Sequence, residues 1–227
     1  MIVVHHLNNS RSQRILWLLE ELGLPYEIKR YQRDAKTMLA PPELRAVHPL
    51  GKSPVISDGG LTIAESGAII EYLAEKYGGK GAAPVLVPRH GTPEHLRYRY
   101  WLHFAEGSAM SPLLLKLVFD RIESGPMPFF IRPVARAIAQ RAKNWIVLPN
   151  IERILDFVEA ELGKSAWFAG AEFSAADVQM SFPLEVAVVR GGLSETRPRL
   201  WAFLKTIRAR PAYLRALERG GKYDFLR

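Results

Sequence analysis

The hydrophobic period of this chain changes once, near residue 80, and that change limits the folds open to it. Ahead of it, short β-branched runs alternate with helical spacing. Ile2–His6 reads as a strand and Leu7–Ser10 as a polar loop, after which Ile15, Leu18, Leu19 and Leu22 recur at helical spacing until Gly23. Tyr26–Tyr31 reads as a second strand, parallel to the first because a helix joins them. Pro41–Val47 is a short helical piece. Val55–Ser57 and Leu61–Ile63 are brief strands around the turn Asp58-Gly59-Gly60, and Ile69, Ile70, Leu73 and Tyr77 mark another helix. The order is β-α-β-α-β-β-α.

From Gly78 to Pro93 the chain is rich in Gly, Pro and Ala and has no helical period. Beyond it only helices are expected: Glu94–Ile122, a stretch from Pro128 to Gly163 with breaks at Pro133 and Pro149, then Ser174–Arg190, Pro198–Arg208 and Ala212–Arg219. The expected division is an α/β domain over 1–80, a linker over 81–92 and an all-helical domain over 93–227. No period of about 20–50 residues repeats, which excludes a solenoid.

Composition removes several function classes. The 227 residues contain no cysteine, so disulfides, thiolate metal sites and a cysteine nucleophile are excluded. The net charge of +8 comes from scattered Lys and Arg without a recognition motif, and no nucleic-acid partner is expected. The most apolar later segment, Ala175–Val189, is interrupted by Asp177, Pro183 and Glu185 and cannot span a bilayer. The first residues lack the features of a secretory signal. The expectation is a soluble, cytoplasmic protein with no membrane partner. His5 and His6 are adjacent in a strand and point to opposite faces, and the other histidines are scattered, so no metal site is expected.

Three places suit a small, peptide-like ligand. Pro54 opens a strand directly after Gly51-Lys52-Ser53; a cis bond there would leave neighbouring backbone groups free to pair with an extended ligand, whereas an ordinary edge proline would not. Glu65-Ser66-Gly67 opens a helix, where Ser66 either caps the helix or joins free N–H groups in holding a carboxylate, with Glu65 placed for an ammonium. Ser10, between the first strand and the first helix, is an N-cap or a hydroxyl donor to a thiolate, with Arg11 and Arg14 adding positive potential or solvating the helix. Gly51-Lys52-Ser53 is not a phosphate loop, because the earlier glycine is missing and Pro54 blocks the helix that should follow. Ser174 and Asp177 form a capping box, a structural motif.

In this order the residues resemble the glutathione transferase family, most closely its bacterial and fungal branch with a serine in the first-helix loop. The resemblance rests on His5-x-Leu7-x-x-Ser10-Arg11-Ser12-x-Arg14, Ala40–Leu44, His48–Pro54, Ala64–Gly67, Trp101–Ser108 and Phe168–Asp177, and covers essentially the whole chain. It implies a thioredoxin-like front half and a helical back half. Ser10 would stabilise the glutathione thiolate, with Asn9, Arg11 or Ser12 sharing or replacing that work. Val55, after a cis-Pro54, would pair its backbone with the cysteinyl unit; Glu65 and Ser66 would hold the γ-glutamyl end, and Lys52 the glycine carboxylate. Tyr100, His103, Phe104 and Gly107 would line an electrophile pocket between the domains, or simply pack as core. The implied activity is conjugation of glutathione to a small hydrophobic electrophile, with reduction of organic hydroperoxides or disulfides as variants. The alternative is a non-enzymatic binding or interaction module. Glutathione would be the one co-substrate, without a metal, in a homodimer.

Overall fold

The computed structural model describes residues 1–34 and 37–226. Strands β1 (Ile2–Leu7), β2 (Tyr26–Tyr31), β3 (Val55–Asp58) and β4 (Leu61–Ala64) form one sheet in the order β2-β1-β3-β4. β1 and β2 run parallel, with Ile2 opposite Tyr26; β3 is antiparallel to both β1 and β4, with Val55 between His5 and Ala64. The strands therefore lie where the sequence pattern puts them, each one residue longer except β2.

Helix α1 (Ser12–Glu21) fills the crossover. Its end is a Schellman turn: Gly23 adopts φ +63°, Leu24 N–H donates to Leu19 at 3.0 Å and Gly23 N–H to Glu20 at 3.3 Å. Ile15 through Leu19 are all fully buried, because the helix is enclosed by the sheet on one side and by helical elements on the other. Helix α2 (Pro42–Val47) covers the opposite sheet face, where Leu44 packs with Leu7 and Tyr31. Helix α3 (Ser66–Tyr77) returns beside α1.

The remaining helices are α4 (Pro93–Phe104), α5 (Met110–Ser124), α6 (Arg132–Ala142), α7 (Leu148–Glu161), α8 (Ala175–Val186), α9 (Pro198–Arg208) and α10 (Pro211–Gly220). A π-helical turn over Ala105–Ala109 joins α4 to α5, a second over Lys143–Val147 joins α6 to α7, and a third over Ala187–Gly191 extends α8. The break expected at Pro133 is a helix boundary, since the segment 128–131 is turn and α6 starts at Arg132; the one expected at Pro149 does not occur. Both prolines sit in a first helical turn; Pro133 needs no intrahelical donor there, and Pro149 follows a π-turn that has already shifted the hydrogen-bond register. α8 is buried along its whole length, and its start is the capping box: Asp177 accepts from Ser174 N–H at 2.8 Å and from Phe168 N–H at 2.9 Å.

A single apolar core runs through both halves, from Ile2 to Phe225, and includes Leu86 from the connecting stretch, whose carbonyl accepts from Ala175. Asp58, at the end of β3, ties the sheet to α3 by accepting from Lys76 at 2.8 Å, Tyr77 at 2.5 Å and Tyr72 at 2.8 Å. Those bonds, Lys76 first, hold its carboxyl down to about 2 from an ordinary 3.8. The network therefore stabilises the fold fully above about pH 4 and is lost as pH falls towards 2. Asp58→Asn should unfold at lower urea than the parent at pH 7, with the gap between their midpoints closing as pH is lowered towards 2. A gap that does not change with pH would show that Asp58 contributes no charge-dependent stability.

Candidate functional site

Three non-glycine residues among those described have a positive φ, and one of them, Glu65, forms the turn into α3. Glu65 takes φ +69°, a left-handed value that a residue with a Cβ adopts only under constraint. Glu65 and Ser66 line a cleft of about 470 Å³, at a helix start whose first N–H groups have no intrahelical acceptor. Glu65 is exposed at the rim and Ser66 is buried.

Across the cleft stand Lys52, Ser53 and Pro54, with the Ser53–Pro54 peptide bond cis. Arg33, Arg45 and His48 from the β2–β3 connection add to the wall, Arg11 closes the side nearest α1, and Glu106 and Leu114 come from the helical half. Glu106 is already matched: Arg11 Nε donates to both its oxygens at 2.9 Å, and Arg14 Nη2 donates to it as well. Burial alone would raise its carboxyl, but Arg14 and Arg11 outweigh that and keep it below the usual carboxylate range. Among the described residues Glu65 is thus the one cleft carboxylate without a cation attached, facing an excess of basic side chains. This charge pattern suits a small ligand with more than one carboxylate and a single ammonium.

Arg14 neither solvates α1 nor lines the cleft. Its side chain is fully buried, donating to the Gln179 carbonyl at 2.5 Å, to Ser66 Oγ at 2.7 Å and to Glu106. The Phe182 ring of α8 lies 5.5 Å from its guanidinium and 5.4 Å from that of Arg11. One side chain thus connects α1, α3, α8 and the π-turn.

Ser10 is 4% exposed and contributes nothing to the cleft surface. The helix begins one residue later than expected, with Arg11 as an N-cap that makes no side-chain bond, and Ser10 Oγ accepts instead from Ser12 N–H at 3.2 Å. The hydroxyl belongs to a chain: Ser53 Oγ lies 3.3 Å from Ser10 Oγ, Ser12 Oγ 2.7 Å, and His6 Nδ1 2.8 Å beyond Ser12. Ser53 already donates to the His5 carbonyl at 3.0 Å. His6 is pushed down to about 4, first by burial and then by Arg30, and so is neutral at pH 7. Ser12 Oγ thus stands between the neutral His6 ring and the Ser10 hydroxyl, bonded to both.

The other expected residues divide. Val55 is fully buried and adds no surface to the cleft. Asn9 lies outside it: its amide donates to Asp224 at 2.7 Å and its oxygen accepts from Asp224 N–H at 2.9 Å, so it fastens the C-terminal segment to the loop before α1. Tyr100, Phe104 and Gly107 do share a cavity, of about 480 Å³, with Phe157 and Arg153 of α7. That cavity is not between the halves, because every residue lining it belongs to the helical part. Successive helical residues point about 100° apart. Glu106 and Leu114 turn to the cleft while Gly107 and Ser111 turn away from it. His103 is exposed and lines neither.

Residues 1–75 match the family "Glutathione S-transferase, N-terminal domain" and residues 126–211 match "Glutathione S-transferase, C-terminal domain". The chain is 34% identical over 227 residues to glutathione S-transferase 1 of Saccharomyces cerevisiae, covering 96% of this chain and 95% of that protein. It is 41% identical over 189 residues to glutathione S-transferase 3 of Schizosaccharomyces pombe, covering 82% of this chain and 74% of the relative. A crystal structure of a glutathione S-transferase from Actinobacillus pleuropneumoniae superposes with a TM-score of 0.75 at 34% identity, over 100% of this chain and 96% of that one.

The chain belongs to the glutathione S-transferase family. It is a glutathione transferase, with glutathione as substrate, on a thioredoxin-like sheet domain joined to a helical one.

Sequence reasoning missed Ser53, Arg33, Arg45, His48, Glu106 and Leu114 as cleft residues of this transferase. For Glu106 the signal was present in part: it lies within Trp101–Ser108, but only the π-turn shows which way it points. Arg14→Leu removes a buried cation, taking its donor from the Gln179 carbonyl and Ser66 Oγ and leaving Glu106 to Arg11 alone. It should lower the unfolding free energy by about 3 kcal/mol, read from urea denaturation. A loss below about 1 kcal/mol would show that Arg14 does not hold the elements together.

Proposed function

We propose that this transferase binds glutathione in the basic cleft and activates its thiol from Ser10, for conjugation to a small hydrophobic electrophile. The observation that carries the assignment is the α3 entrance. Ser66, at the helix N-terminus, lines the cleft beside Glu65, which pairs with no cation among the described residues. Ser66 accepts from Arg14, which polarises its hydroxyl and makes it a better donor. In this reading Ser66 and the helix N-terminus hold the γ-glutamyl carboxylate, Glu65 holds the ammonium, and Lys52 holds the glycine carboxylate. Pro54 and the backbone of Val55 border the cysteinyl unit.

The thiolate then lies by Ser53 and Ser10. Ser53 cannot serve it, because its proton is committed to the His5 carbonyl. Ser10 can, because among the described residues its hydroxyl is bonded only to the Ser12 and Ser53 hydroxyls and the Ser12 N–H, and a charged acceptor outcompetes a neutral one. Arg11 adds positive potential at the same wall. No acid or base is required beyond this, and orientation with exclusion of water supplies the rest of the rate. A thiolate so formed also suits reduction of organic hydroperoxides. We further propose the division 1–80, 81–92 and 93–227, a homodimer and a cytoplasmic location, as the family resemblance implies. The electrophile is placed on the cleft side of α4 and α5, near Leu114, rather than in the cavity of Tyr100, Phe104 and Gly107.

Calorimetric titration with glutathione tests the site. Glu65→Ala should weaken binding at least tenfold, whereas Ser10→Ala should bind comparably but lose the thiolate absorbance of the bound ligand. No binding by the parent at millimolar glutathione would overturn the cleft assignment. The hydroxyl chain gives a separate expectation. Ser12→Ala removes the group that competes for the Ser10 proton, so the bound thiol should ionise about half a unit to one unit lower in pH. An unchanged or higher ionisation would show that Ser12 does not direct Ser10.

A further inference from the structure

The segment from Gly125 to Ile151 contains no Asp or Glu, yet carries Arg132, Arg136, Arg141 and Lys143. Nowhere does it touch the glutathione cleft. Helix α6 lies inside it and is turned the wrong way for a soluble surface. Its packed side is marked by Ala139, fully buried, and by Lys143, which follows one turn later and pairs with Asp120 and Glu123 of α5. Val134 and Ile138, one turn apart, are exposed on the other side, and Trp145 beyond them is 82% exposed. Ahead of the helix, Phe129 is 82% exposed and stands edge-on to an exposed Phe130. A surface helix ordinarily turns its apolar face inward; this one turns it to solvent, with aromatic side chains at both ends.

Charge identifies the occupant. Lys143 is spent on α5, but Arg132, Arg136 and Arg141 are exposed and pair with no carboxylate among the described residues. A second copy docking through the same patch by two-fold symmetry would set these arginines against each other. Arginines and exposed aromatics around an apolar helical face, with no acidic residue for 27 positions, match a surface that is negative outside and apolar beneath. We propose that α6 and the Phe129-Phe130 turn dock this transferase on anionic lipid bilayers, with the helix lying in the interfacial plane. This is peripheral attachment. Among the described residues no helix is long and apolar enough to cross a membrane. The expectation of no membrane partner was argued from the lack of a spanning segment, a criterion that does not bear on a helix lying flat. The proposal does not depend on where glutathione binds.

The test is co-sedimentation of the full chain with vesicles of phosphatidylcholine alone or with about a third phosphatidylserine, at low and physiological salt. The parent should bind the anionic vesicles at least tenfold more tightly than the neutral ones, with a blue shift of tryptophan emission that Trp145→Phe removes. Phe129→Ser with Phe130→Ser, and separately Arg132→Gln with Arg136→Gln and Arg141→Gln, should each weaken binding at least tenfold. Both variants should keep glutathione turnover, which reports that they fold. Equal binding to both vesicle types, or binding untouched by either set of substitutions, would overturn the proposal. So would failure to bind anionic vesicles at low salt. Light scattering completes the test: if the serine variant changes the oligomeric state while the parent ignores vesicles, the patch covers a second copy and the lipid assignment falls.

Discussion

A buried guanidinium determines how the two halves of this molecule meet. Arg14 leaves the first turn of α1 and satisfies a serine at the head of α3, a carbonyl inside α8 and a carboxylate in the π-turn between α4 and α5. Each partner comes from a different part of the chain, and one planar group with five fixed donors can meet all of them at once; an ammonium could not. Moving any of the four elements would strand a charge or a buried acceptor. The position of Ser66 in the cleft is therefore a by-product of how the core is assembled, and binding geometry and fold stability share one residue.

The π-turn at Ala105–Ala109 has a related part. A regular α-helix through this region would give another direction to Glu106, and the inserted residue turns it towards Arg11 and Arg14. Two further π-turns mark the other long helices, one of them immediately before Pro149. In a protein whose helical half must present one face to a sheet domain and another to solvent, these turns adjust the azimuth of side chains without breaking the rod.

How far the sequence could be read follows from how local each determinant is. The strands, the stop at Gly23 and the capping box of Ser174 and Asp177 are set by neighbouring residues, and all are found where the pattern puts them. Glu65, Ser66, Lys52 and Pro54 were legible as a group because each sits at an element boundary whose chemistry can be written from a few residues. Arg14, Asn9 and the cavity of Tyr100 were not legible. A guanidinium at helical spacing reads the same whether it faces water or four distant partners. Asn9 finds Asp224 across 215 positions of sequence. Which residues after α4 meet the cleft is decided by a π-turn that leaves no periodic trace. The three exposed arginines of the α6 region were counted within the net charge, but only the fold shows that the apolar face beside them is uncovered.

The pairing of Asn9 with Asp224 also bears on the order in which the molecule can be completed. The side chain and backbone that brace the loop carrying Ser10 emerge from the ribosome more than two hundred residues after it. Tyr223 and Phe225, beside that brace, are buried in the core. The sheet can form early, since its strands lie within the first 64 residues. The thiol-facing loop cannot take its final support until the far end of the described chain has folded back over it. A nascent or C-terminally clipped chain would thus own every residue of the proposed glutathione site and still lack its finished shape.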